Sequence, residues 1–509
     1  MIYSLQDINP KTYEGDMIFM YGDESAERVL PLGKREVELV KRRRSGEARV
    51  ESGERRVESG KDFVVAFDRL PSRLYFVSFD SERKGAEVQE RLRLLAAEVL
   101  RLLERDGVRE VALCGEGTLP EEVAAMVEGL TLADYSFDRY KTKERYHLER
   151  LAVSKVFFSE EELESQRRLW NRIFWCREWV NMPVADLNAE RFADELEAVA
   201  KDLEGVKCTV MDRKKIESLR MGGLLGVNKG SVDEPRFVVL EYDGCARAEG
   251  RAGEQPMKGR RDAGAPAEQP IVLVGKGVMY DTGGLNIKPD DYMQEMKSDM
   301  AGAATMASVV FAAADNGLPV RVVALLPLTD NRPGGNAYAA DDILTMYDGT
   351  TVEVVNTDAE GRLILADAIA YAVKNYNPRV IIDAATLTGA AVRAISTFGI
   401  AAMQTNAERE LEMLKIVGEE VHERLVEFPM WKEYDELIRS EYADLRNCGT
   451  TPQAGTITAG KFLAHFAKDV PYVHLDIAGV AYFTKAQGYY RAGASGYGTR
   501  LLYGFLQMQ

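Results

Sequence analysis

From residue 189 onward the chain alternates short apolar runs with longer helical ones, a rhythm that very few architectures accommodate. Strand-like runs fall at 236–242, 271–275, 320–326, 352–355, 380–384 and 473–477. Helical spacing of apolar residues falls at 189–203, 299–314, 360–376, about 408–426 and 456–467. Strands separated by helices pair in parallel through crossover connections, so this region is expected to form a mixed, mostly parallel sheet covered by helices. In such a sheet, sites form in the loops at the carboxyl ends of the strands.

The earlier residues repeat the pattern on a smaller scale. Runs at 63–67, 74–77 and 110–113, with a helical stretch at 88–103, indicate a small N-terminal α/β domain over 1–155. The acidic first turn Glu160-Glu161-Glu162, with Leu169, Ile173 and Cys176 at helical spacing, marks a linker helix within 156–183. The expected organisation is therefore domain 1–155, linker 156–183 and a larger α/β domain 184–509. Residues 34–61 mix Lys, Arg and Glu and read as a solvated hairpin or loop. Residues 244–270 carry almost no large apolar side chain and read as an exposed, flexible insertion.

At 509 residues the chain exceeds the ~250–300 at which single cores stop growing, so at least two domains are expected. The formal charge of −16 argues against nonspecific attraction to nucleic acid or to anionic membrane. Five scattered cysteines without CxxC spacing suit free thiols in a reducing compartment, and cytoplasm is the expected location. Apolar stretches are broken by charge, as Asp383 and Arg393 break 380–403, which reads as a strand and loop and not a membrane span. Four histidines, none at HxxxH spacing, disfavour a histidine-built metal site.

Polar side chains concentrate in three places. Asn356-Thr357-Asp358-Ala359-Glu360-Gly361-Arg362-Leu363 lies where a strand gives way to a helix. Thr357 with Glu360 fits a capping box, which accounts for Glu360 but not for Asp358 and Arg362. On this segment alone, structural and chemical readings stand level. A second cluster, Lys276 to Pro289, follows the strand at 271–275. It lacks the GxxxxGK[ST] of a phosphate loop, and its Asp281-Thr282-Gly283 has no second copy to make an aspartic protease pair. A third, Met296 to Ala304, places Asp299 at the head of a helix of small residues, where an N-cap is the ordinary role. If these elements converge, Asp281, Asp299, Asp358 and Glu360 would repel one another unless about four positive charges were supplied, as two divalent cations would do. Oxygen-rich ligation favours Mg, Mn or Zn.

These segments resemble the two-metal leucyl aminopeptidase family. Asn356 to Leu363 matches the signature NTDAEGR[LI] at every position, and similarity continues through GKGVMYDTGGLNIKP, MKSDMAGAA, DAATLTGA and HLDIAG. The resemblance implies an α/β catalytic domain that releases N-terminal amino acids, leucine-like ones preferred, from peptides with a free N-terminus. It implies that Lys276, Asp281, Asp299, Asp358 and Glu360 hold two divalent cations, Zn or Mn with Mg or Co as alternatives. Lys276 as a ligand must be neutral. Lys288 and Arg362 align with the family's catalytic cations, and Arg362 with a bicarbonate site. Met296, Thr386, Gly389, Ala478 and Ala481 fall where the family lines the pocket for the substrate's first side chain, and Ala481 is small for its position. A homohexamer is the assembly implied. The rival readings on the same scaffold are a DNA-binding regulator, against which the net charge argues, and a catalytically silent homologue, against which the intact ligand positions argue.

Overall fold

A computed structural model describes residues 1–22, 31–44, 62–69, 71–80, 82, 85–245, 269–449 and 451–509. The proposed insertion at 244–270 lies almost wholly outside the described residues. The chain divides into two compact units, one of Met1–Trp170 with Thr484–Ala492, the other of Asn171–Phe483 with Gly493–Gln509. The division falls inside the helix Glu160–Asn181, and a short segment near the C-terminus returns to the first unit.

The first unit is built on a six-stranded sheet in the order Ile2–Gln6, Arg150–Ser154, Glu110–Glu116, Met17–Tyr21, Ser72–Ser78, Phe63–Arg69. All neighbours are parallel except the last pair, where Phe63–Arg69 runs antiparallel to Ser72–Ser78. The helices Ala86–Asp106 and Pro120–Asp134 pack on each other, with Leu92, Leu95, Val99 and Leu103 buried. Of the hairpin or loop expected over 34–61, Lys34–Arg44 instead form a helix with Val40 as its buried residue and the charges on the other faces, and 45–61 lie outside the described residues.

The second unit is organised by a nine-stranded mixed sheet. Its order is Leu425–Glu427, Ile400–Thr405, Tyr472–Asp476, Val380–Ala385, Ile271–Gly275, Arg321–Asn331, Arg236–Asp243, Val206–Met211, with Gly277–Asp281 paired to the far end of Arg321–Asn331. The central strands are parallel and apolar on both faces, as a sheet covered on both sides requires. Toward each edge an antiparallel pairing intervenes, Ile400–Thr405 on Tyr472–Asp476 and Arg236–Asp243 on Arg321–Asn331. Ala301–Asp315 covers one face, with Thr499–Gln507 packed on that helix. Gly361–Tyr376, Gly455–Ala467 and the short Gly222–Asn228 cover the other, sharing a core with Val272, Val323 and Ile381. Residues 380–403 hold a strand, the helix Gly389–Ile395 and a second strand, because Asp383 and Arg393 are accommodated within folded elements and not in a loop. Among the described residues, no helix is long and apolar enough to cross a membrane.

Candidate metal centre

The carboxyl ends of the parallel strands meet the start of the helix Gly361–Tyr376, and the polar clusters gather there. Lys276 interrupts the strands Ile271–Gly275 and Gly277–Asp281, its N–H donating to the Ala384 carbonyl at 3.1 Å. Its Nζ lies 2.7 Å from Asp299 Oδ1 and 2.8 Å from Glu360 Oε1, and donates to the Thr386 carbonyl at 3.0 Å. This route across the helix start needs glycine at 361, where a Cβ would stand 2.4 Å from Lys276 Cε.

A second ammonium serves the other side of the cluster. Lys288 Nζ is 2.7 Å from Asp281 Oδ2 and 2.6 Å from Asp358 Oδ1. The turn that brings it back contains Gly283, at φ 84°, a conformation that side chains with a Cβ rarely adopt. Asp281 Oδ1 accepts from the Gly283 N–H and from Asn331 Nδ2, both at 2.8 Å. The same Asn331 amide donates to the Thr357 carbonyl at 3.0 Å, and the Tyr338 hydroxyl donates to that carbonyl at 2.7 Å. Thr357 in turn exchanges bonds with Asn286: its N–H donates to Asn286 Oδ1, and its Oγ1 accepts from the Asn286 N–H, each at 2.8 Å.

Two ordinary roles weighed from the sequence are not taken. Glu360 is itself the residue before the helix, in helical backbone conformation, and its carboxylate is paired with Lys276, so Thr357 and Glu360 form no capping box. Asp299 closes a short 3-10 turn, Met296–Ser298, and Met300 precedes the helix. Its Oδ1 accepts from Lys276 and from the Thr386 hydroxyl at 2.8 Å instead of capping.

Four carboxylates against two ammonium groups leave a surplus of negative charge in a buried place. Burial lifts Asp299 well above the usual carboxylate range and lifts Asp281 as well. Burial, with Asp281 and Glu360 adding to it, pushes Asp358 up to about 7. Glu360 moves the other way, because Lys276 and Lys288 overcome the effect of its burial. Burial likewise opposes the charges on Lys276 and Lys288, yet the surrounding carboxylates outweigh it and raise both. Among these carboxylates Lys276 serves as a counter-ion; the neutral form that the family resemblance implies for a ligand belongs to a site in which divalent cations supply the positive charge.

The donor set fits divalent cations. Oxygens of Asp281, Asp358 and Glu360 lie within 4.8 Å of one another, and Asp299 Oδ2 and Glu360 Oε2 are buried with no hydrogen-bond partner among the described residues. Unpaired buried acceptors of this kind are costly without a ligand. Arg362 is buried in the first turn of the helix, with Nε and Nη1 lacking partners among the described residues.

The expected pocket residues divide between segments. Thr386 touches Lys276 and Asp299 directly. Gly389 opens the helix Gly389–Ile395 and is exposed, and Met296 is half-buried at the 3-10 turn. Ala478 and the buried Ala481 lie in the turn after Tyr472–Asp476. Sequence reasoning passed over Asn331, Asn286 and Tyr338. The polar triplet Thr329-Asp330-Asn331, closing an otherwise apolar strand, was the available signal for the first.

Carboxylates fitted for divalent cations at the carboxyl edge of a helix-covered α/β sheet define a metal-binding α/β protein. Two family profiles match the chain, the catalytic domain of the cytosol aminopeptidase family over residues 174–503 and its N-terminal domain over 63–144. A protein of Geobacter sulfurreducens named "Probable cytosol aminopeptidase" is 38% identical over 450 residues, covering 86% of each chain. A Chlorobaculum tepidum protein of the same name is 44% identical over 404 residues, covering 76% of each. Among solved structures, the bottromycin maturation enzyme BotP in complex with Mn is 28% identical at TM-score 0.81, covering 97% of this chain and 99% of its own. A tomato leucine aminopeptidase mutant shares the fold at TM-score 0.82 and 24% identity, covering 100% of this chain and 96% of its own. The chain belongs to the cytosol aminopeptidase family.

Proposed function

We infer that this protein is a metallo-aminopeptidase that removes N-terminal residues, leucine-like ones preferred, from peptides with a free N-terminus. The observation that carries the reading is the carboxylate cluster of the buried Asp281 and Glu360 with the half-buried Asp358, beside oxygens of Asp299 and Glu360 that have no hydrogen-bond partner among the described residues. Lys276, Asp281, Asp299, Asp358 and Glu360 would hold two divalent cations; the Mn in complex with the similar BotP supports Mn as an occupant, with Zn the alternative that the family resemblance implies. Such cations polarise a peptide carbonyl and acidify water to a nucleophile near neutral pH.

The chain's own groups do the rest. Lys288, on the Asp281 and Asp358 side, donates to negative charge that develops on the carbonyl oxygen. Arg362, buried and with Nε and Nη1 lacking partners among the described residues, suits a planar bicarbonate-like anion that carries a proton. Met296, Thr386, Gly389, Ala478 and Ala481 receive the first side chain of the substrate. The proposal extends, on family resemblance, to a homohexamer acting in the cytoplasm, which light scattering and fractionation would check.

Leu-Gly-Gly should be cut to leucine and Gly-Gly by the metal-loaded enzyme, and its N-acetyl form should not. Dialysis against chelator should abolish the cleavage, and Mn, Co or Zn should restore it. Comparable rates on the free and acetylated peptides would make the enzyme an endopeptidase. Full activity in protein shown metal-free by elemental analysis would remove the role of the cations.

A further inference from the structure

Asp476 is 1% exposed, stands outside the cluster of proposed ligands, and is tied into two separate turns. Its Oδ1 accepts from the backbone N–H of Ala478 at 3.1 Å, of Leu387 at 3.2 Å and of Thr388 at 3.5 Å. Its Oδ2 accepts from the Thr388 hydroxyl at 2.6 Å. That hydroxyl is itself saturated: it gives its proton to Asp476 and accepts from the Ala391 N–H at 3.0 Å and from Thr456 Oγ1 at 2.9 Å. One carboxylate and one hydroxyl therefore gather the turn after Val380–Ala385, the turn after Tyr472–Asp476 and the head of the helix Gly455–Ala467.

Both turns lead into the reaction site. Thr386, next to the clamped Leu387, gives its carbonyl to Lys276 and its hydroxyl to Asp299. Ala478, which donates to Asp476, begins the turn that carries Ala481, and that turn is closed by N–H bonds from Val480 and Ala481 to the Ile477 carbonyl, each at 3.0 Å. We propose that Asp476, acting through Thr388, is a positioning residue that sets the spacing between these two turns and so fixes which N-terminal side chain the enzyme accepts. This rests on the aminopeptidase reading and on the pocket residues named with it. A carboxylate suits the task because it only accepts, and all of its partners are donors; an amide would turn its NH2 either toward the Thr388 hydroxyl or toward the backbone N–H groups. Burial raises the Asp476 carboxyl above the usual carboxylate range, and His474, held at 2.8 Å by Asp383, acts against that rise.

A pocket wall displaced by a fraction of an ångström costs fit to a large side chain and little to glycine. One methylene in a fitted apolar pocket discriminates by about 10–200-fold. The experiment uses the full-length Mn-loaded enzyme and its Asp476→Asn, Thr388→Val and Thr388→Ser variants. It measures kcat and KM on Leu-Gly-Gly and Gly-Gly-Gly, metal content, and hydrogen exchange of the peptides spanning 386–391 and 477–481. Thr388→Val and Asp476→Asn should keep their metal, raise KM for Leu-Gly-Gly by about 10-fold or more, and leave Gly-Gly-Gly within about 3-fold. Exchange should quicken in both peptides, and Thr388→Ser, which keeps the hydroxyl, should restore selectivity and protection. Equal losses on both substrates, unchanged selectivity, or a Ser variant no better than Val would overturn the positioning role while leaving the aminopeptidase reading intact. A metal-loaded wild type that cuts neither peptide would overturn both.

Discussion

Lys288 makes two short contacts with proposed ligands, so its removal separates coordination from catalysis at the scale of one residue. Its Nζ occupies Asp281 Oδ2 and Asp358 Oδ1, the oxygens that a divalent cation would also claim. An ammonium and a dication compete for such carboxylates, so Lys288→Ala should take up Mn at least as tightly as wild type. Turnover should fall by about 10²–10³-fold, the usual loss when a donor to transition-state charge is removed. Glu360→Gln should lose metal and rate together, because Oε1 is held by Lys276 and Oε2 is one of the unpaired acceptors. Calorimetric titration with Mn and steady-state kinetics on the same preparations decide the matter; release of metal by Lys288→Ala would place that side chain in the coordination shell. The charged members of this site were legible in the sequence because charge is rare at the ends of apolar runs. Asn331 was not, since its part depends on reaching Asp281, 50 positions earlier in the chain, and a neutral amide in a strand gives no local sign of its partner.

At the scale of elements, the central strands and the long helices were readable because burial on both faces leaves unbroken apolar runs and helix faces repeat at fixed spacing. Strands toward the edge, such as Val206–Met211, mix polar and apolar residues and passed unread, as did the short helix Gly222–Asn228. That helix owes its start to a residue far away. Asp367, buried in the middle of Gly361–Tyr376, accepts from the Leu224 N–H at 2.9 Å and the Tyr347 N–H at 2.8 Å, and bonds the Gly223 N–H as well. It supplies the acceptor that an N-cap would otherwise provide. Burial pushes its pKa up to about 7. In the unfolded chain the group titrates near ~3.9, so between about pH 4 and pH 7 the folded protein holds a proton that the unfolded chain has lost. Stability from this group is therefore fully present below about pH 4 and is lost as pH rises to about 7. Asp367→Asn cannot titrate, so the variant's stability relative to wild type should rise across that window, by up to about 4 kcal/mol, whatever its offset at low pH. Urea midpoints of the two proteins at several pH values measure it, and a difference that stays flat from pH 4 to 7 would show that Asp367 keeps its charge throughout.

At the scale of the whole molecule, continuity of sequence concealed one feature. Thr484–Ala492 belongs with the first unit, where the Tyr489 hydroxyl donates to Glu90 and Arg491 to the Ala133 carbonyl, each at 3.0 Å. The proposed ligands, by contrast, all come from the second unit, and this allows a test of the metal centre that does not depend on turnover. Metal bound only by the folded state stabilises it by RT ln(1 + [L]/Kd), about 2.7 kcal/mol when free metal is 100 times Kd. The gain should be spread unevenly, because the surplus carboxylate charge to be neutralised lies where the strands around Lys276, Asp281 and Ala385 end. Hydrogen exchange on full-length protein, loaded with Mn and then chelated, should show protection lost over 276–288, 299–303 and 356–366. Peptides from the first unit, such as 86–106 and 110–116, should exchange alike in both states. Strand ends bound to the cluster open together when their counter-charge is withdrawn, whereas a sheet that contributes no ligand has no such linkage. Equal loss of protection in both units would mean that the cations support the chain generally, and the carboxylate cluster would then not be where they act.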